Sequence, residues 1–182
     1  MSHVLVRRTI FAAAATVATM TPAVPTYAAP AANGSGGVTA TFEGGAIDLA
    51  EDWGDARACS ISATGAVCYR SEAEMDTELA ASKAALGGGE VAPLSSCSTS
   101  LRLYDGTSYT GQVVSISTRA TLISLSSLGF DNKTSSYKVG ACSATLYSGG
   151  GSGIYPGNTA ANAQAPSMTS GWNNTISSVL LA

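Results

Sequence analysis

Apolar and polar positions follow three rhythms along this chain. Near the start, a mostly apolar run from Ile10 to Met20 follows Arg7 and Arg8 and leads into Pro22, Pro25 and the small-residue stretch Thr26-Tyr27-Ala28-Ala29. The run is shorter than the ~20 residues that span a bilayer. Its flanks predict a signal peptide over residues 1–28, cleaved near Ala28, on the general secretory route. Residues 29–42 are expected to be a flexible leader, because Ala, Gly and Ser dominate their first part. The second rhythm is helical: Ser71-Glu72-Ala73-Glu74 is a capping box, and Met75, Leu79 and Leu86 form an apolar stripe with Lys83 and the acids outside. Gly87-Gly88-Gly89 stops that helix. The third rhythm has period two. Ala46 to Leu49 predicts a short strand, and Ser100 to Tyr104 and Gln112 to Ser117 alternate between Gly-containing turns, as short strands of a sandwich or barrel do.

Charge sharpens this division. Residues 43–90 carry ten acidic and three basic residues, whereas 91–182 carry two acidic and four basic. The expected organisation is a small α+β segment over 43–94 and a mainly β domain over 95–182. Loss of the signal peptide removes Arg7, Arg8 and the only histidine, His3, leaving seven basic and twelve acidic residues. Nucleic acid is thereby excluded as an expected partner, since no basic patch remains to meet phosphates. Triads built on His, imidazole bases and His-ligated zinc are excluded too.

An exported chain with four cysteines, Cys59, Cys68, Cys97 and Cys142, is expected to form two disulfides. Three pairings are formally open. Cys59 and Cys68 flank the β-branched stretch Ile61 to Val67 with Thr64-Gly65 near its middle, which predicts a hairpin closed by a bridge. Cys59 then pairs with Cys68 and Cys97 with Cys142. No CxxC motif or zinc-ribbon spacing gives these thiols a redox or metal role.

The mainly β part repeats itself. Leu103-Tyr104-Asp105-Gly106 returns as Leu146-Tyr147-Ser148-Gly149, and Gly129-Phe130-Asp131-Asn132-Lys133-Thr134-Ser135-Ser136 returns as Gly171-Trp172-Asn173-Asn174-Thr175-Ile176-Ser177-Ser178. Each copy resembles a βγ-crystallin Greek key. The first carries Tyr104-x4-Tyr109-x-Gly111, similar to the family's aromatic-rich hairpin; the second has Tyr147 and Tyr155-Pro156-Gly157, with three extra residues in the Gly149–Gly153 loop. The hexamers Asp131 to Ser136 and Asn173 to Ser178 both fit the family's calcium signature: Asp or Asn twice, two free positions, Ser or Thr, then Ser.

The resemblance implies a two-Greek-key sandwich with paired calcium sites across a pseudo-twofold, each hexamer contributing to both. Side-chain ligands would come from Asp131, Ser135, Asn173 and Ser177, backbone carbonyls from Lys133 and Thr175, and Asn132 and Asn174 would hold the turns. Calcium is a hard cation that takes six to eight oxygens in irregular geometry, and Asp, Asn and Ser on a tight turn supply them. Asp131 is the one formal negative charge in the two hexamers. Affinity is therefore expected in the micromolar-to-millimolar range, weaker in the half lacking Asp131. Against this stands the plainer reading of the same residues as Asx and Ser/Thr turns that join strands without metal. Phe130, Trp172, Tyr104 and Tyr109 read as core aromatics.

The functional expectation is a secreted, non-catalytic calcium-binding protein with a structural or stress role, monomeric and without a membrane segment. Two alternatives come from the same resemblance. Secreted actinobacterial metalloproteinase inhibitors share this architecture, which would make a secreted protease the partner. Killer-toxin-like antimicrobial proteins share it as well. Asp48, Glu51, Asp52 and Asp55 could in principle supply a carboxylate pair for glycoside hydrolysis, but their spacing before Trp53-Gly54 reads as a solvated face.

Overall fold

The β-branched and alternating segments of the sequence become strands, and the one capped segment becomes a helix. The computed structural model describes residues 36–85, 96–149 and 152–182. The expected signal peptide, the first half of the expected leader (residues 29–35), Leu86 and the Gly87–Gly89 stop lie outside the described residues.

Among the described residues, twelve strands and one α-helix follow in chain order. They are β1 (Thr39–Phe42), β2 (Gly45–Asp48), β3 (Ala58–Ser62), β4 (Gly65–Tyr69), α1 (Glu72–Ala85), β5 (Ser96–Tyr104), β6 (Val113–Thr118), β7 (Ile123–Ser124), β8 (Ser136–Lys138), β9 (Ala144–Ser148), β10 (Gly153–Ile154), β11 (Gln164–Ala165) and β12 (Ile176–Leu181). The chain is mainly β, as expected. Both disulfides form as the hairpin argument requires: Cys59 faces Cys68 directly across β3 and β4, and Cys97 joins Cys142 at a Cα separation of 5.8 Å.

Two sheets organise the strands, in the orders β11-β8-β5-β6-β3-β4-β1-β2 and β10-β9-β12-β7. Within each repeat the fourth strand lies beside the first and the first beside the second, giving β8-β5-β6 and β12-β9-β10. The third strand of each repeat crosses to the other sheet: β7 pairs with β12, and β11 with β8. Leu101, Leu103, Val114 and Ile116 from one sheet and Leu146, Ile176, Val179 and Leu181 from the other are buried in one apolar cluster between them. Period two explains this, because alternate residues on β5 and β6 point inward while Arg102 and Ser115 face out.

Three expectations change. The leader does not extend to residue 42: Thr39–Phe42 is strand β1, paired antiparallel to β2 and parallel to β4, with Ala40 buried. Backbone pairing and an apolar anchor hold a stretch whose Gly-rich approach reads as loose. The helix keeps its cap, with the Glu74 amide donating to Ser71 Oγ at 3.1 Å. The Glu74 carboxylate, however, reaches back to the amide of Arg70. Its apolar stripe is not continuous, since Met75 is fully buried but Leu79 is 37% exposed. Nor do all its acids face water. Arg102, pointing outward from β5, binds Glu72 at 2.6 Å and also Asp76, and the Tyr104 hydroxyl donates to Glu72 at 2.6 Å. Polar pairing with the sheet's outer face thus joins the buried Met75 in setting the helix's rotation.

One sheet also runs from β1–β4 into the first repeat, because β3 pairs in parallel with β6 from Ala58↔Val113 to Ile61↔Ile116. Trp53 fastens this junction. It is 5% exposed, its indole N–H donates to the Leu128 carbonyl at 2.8 Å, and its ring stacks on Phe130 at 5.9 Å. Asp48 and Asp52 accept from the amides of Ala50 and Gly54, so these acids cap turns.

Candidate metal centre

The two hexamers meet. Asp131 to Ser135 lies in the turn leading into β8, and Asn173 to Thr175 in the turn leading into β12. Asn132 and Asn174 adopt left-handed backbone, φ 55° and 57°, a conformation that Asn tolerates better than most residues. Their amides then cross between repeats in a reciprocal pair: Asn132 N–H donates to Ile176 O and Asn174 N–H to Thr134 O, both at 3.0 Å. The side chains repeat the crossing. Ser135 Oγ donates to Asn174 Oδ1 at 3.1 Å and Ser177 Oγ to Asn132 Oδ1 at 3.4 Å. Ile176 stands opposite Ser148 and Ser178 opposite Tyr147, so Ser177 sits in a bulge that turns its hydroxyl out of the ladder.

This arrangement leaves oxygen available. A hydroxyl has one proton and two lone pairs, so Ser135 and Ser177 can give the proton to Asn across the axis and still offer lone pairs to a cation. Asp131 Oδ2 accepts from Asn132 Nδ2 at 3.1 Å, whereas its Oδ1 is buried and has no hydrogen-bond partner. Ser178 Oγ, also buried, likewise has none. Asp131, Asn132, Ser177 and Ser178 line one open groove of 540 Å³, with Ser126 and Gly149 on its wall. A carboxylate oxygen buried without a partner is costly in a protein, and a divalent cation would satisfy it.

Among the expected ligands, the groove gathers Asp131 and Ser177 with the turn-holding Asn132. Asn173 and Asn174 are exposed on the other side of the crossing, and Ser135 is buried beside Asn174. Thr175 turns its hydroxyl back to Trp172 O, and Lys133 is exposed. Ser124 and Ser126, joined by a 2.8 Å hydroxyl contact on the groove wall, carried no sequence signal. Ser178 stood inside the hexamer pattern without an assigned role. Among the described residues, no three His, Cys, Asp or Glu side chains gather as a metal group, so a cation here depends on the one Asp131 carboxylate together with hydroxyl, amide and carbonyl oxygens. Also among them, no helix is long and apolar enough to cross a membrane.

No protein-family model, curated protein or solved structure matches this chain.

Proposed function

We propose that this is an exported, non-catalytic calcium-binding protein of the βγ-crystallin type, in which the ion reinforces the contact between two Greek-key repeats. The strand arrangement supports the fold assignment: a Greek key returns its fourth strand beside its first, and both repeats keep that order while exchanging their third strands. The observation that carries the function is the reciprocal crossing of the hexamers with the unpartnered Asp131 Oδ1 beside it. An ion bound only by the folded chain stabilises it by mass action, by about 2.7 kcal/mol at a hundredfold excess over Kd. The inhibitor and antimicrobial alternatives rest on fold resemblance alone.

Calorimetric titration of the metal-stripped mature protein with Ca2+, with thermal melts in parallel, tests this reading. Saturable binding, a raised Tm and an affinity at least about tenfold weaker in Asp131→Ala are expected. No heat and no shift in Tm in the wild type would remove calcium from the function.

A further inference from the structure

The last serine of each hexamer does a different job in each repeat. In the first, Ser136 is fully buried; its hydroxyl donates to Gly106 O at 2.6 Å and accepts from the Tyr109 amide at 3.1 Å, closing the β5–β6 loop. The matching residues of the second repeat are Ser178 and Gly149. There, Gly149 O accepts instead from Ser152 Oγ at 3.0 Å, a residue of the lengthened loop between β9 and β10. Ser178 is released from loop closure. It is 4% exposed, its Oγ has no partner, and it lines the same groove as Asp131, whose Oδ1 is likewise buried and unpartnered.

We infer that the protein binds a single divalent cation, at the Asp131 end of the crossing, and that Ser178 is a ligand recruited by the loop insertion. Ser136, the residue matching Ser178, spends its hydroxyl on the hairpin and cannot serve a second ion in the same way. The half around Asn173 also lacks a carboxylate. Hydroxyl oxygens with both lone pairs free suit a hard cation, which selects Ca2+ over softer metals. This inference rests on the calcium reading, and stoichiometry separates the two.

Calorimetry with Ca2+ should give one ion per chain. Ser178→Ala should weaken binding about tenfold with the ion-free melt unchanged, whereas Asn173→Ala should bind as the wild type does. Ser178→Cys supplies a test that a purely structural serine would not move: a soft thiolate should raise affinity for Cd2+ relative to Ca2+ about tenfold. Two ions per chain, unaltered binding in Ser178→Ala, or a loss in Asn173→Ala equal to that in Asp131→Ala would overturn the inference and leave calcium binding standing. No Ca2+ binding by the wild type would overturn both.

Discussion

The two repeats share a strand order and a hexamer yet differ in how they are supported. The first is enclosed: α1 covers its outer face through Met75, Arg102 and Tyr104, and Trp53 packs on its Phe130. The second stands open. Trp172, in the place of Phe130, packs on Tyr155 at 5.5 Å within its own repeat, and Ile154 is 65% exposed. The N-terminal segment pairs on the first repeat alone, where β3 adds to β6, whereas the matching β10 stays at the edge of its sheet.

The largest contrast should appear at the matching glycines. Gly129 and Gly171 both adopt left-handed backbone, φ 61° and 80°, but a Cβ on Gly129 would lie 2.2 Å from Leu49 O, while one on Gly171 meets nothing within 4 Å. Gly129→Ala should therefore cost about 3 kcal/mol or more, by backbone clash added to strain, and Gly171→Ala about 1 kcal/mol from strain alone. Urea denaturation of both variants measures this. Equal losses would mean that the N-terminal segment does not press on the first repeat.

A smaller contrast should separate the two serines in ion-free protein. Ser136→Ala strands Gly106 O and the Tyr109 amide and should cost about 2 kcal/mol. Ser178→Ala removes a buried hydroxyl that bonds to nothing, so stability should stay within about 0.5 kcal/mol of wild type or rise. A large loss at Ser178 would show that it closes its own loop.

The smallest effect concerns alkaline pH. Burial, then the hydrogen bond to Glu72, pushes the Tyr104 phenol well above its usual value of 10.0; burial, then Tyr155, does the same for Tyr137. Both lie on first-repeat strands. A raised folded pKa means that the folded chain keeps a proton the unfolded chain gives up, so the stability present below pH 10 is lost as pH rises toward the folded values. Denaturation midpoints should hold to about pH 9.5 and then fall, less steeply in Tyr104→Phe. An equal slope in that variant would place the alkaline sensitivity elsewhere.

Much of this arrangement was legible because it is local or periodic. Alternation marked β5 and β6, the Cys59–Cys68 spacing marked a hairpin, and the duplicated hexamers marked two turns that the fold brings together. What stayed hidden depends on distant partners. No local signal says that Trp53 reaches Leu128, or that Glu72 and Asp76 turn inward to an arginine on the next strand.

The sequence by itself determined strands β2 to β6, the helix cap, the disulfide partners and the matched turns, since each follows from neighbours within one element or from internal repetition. Only the tertiary structure decided that the acidic segment extends the first repeat's sheet and that Ser136 and Ser178 part company. Those outcomes hang on which backbone edge lies free and which carbonyl a hydroxyl reaches. Both are set by contacts between residues far apart in the chain.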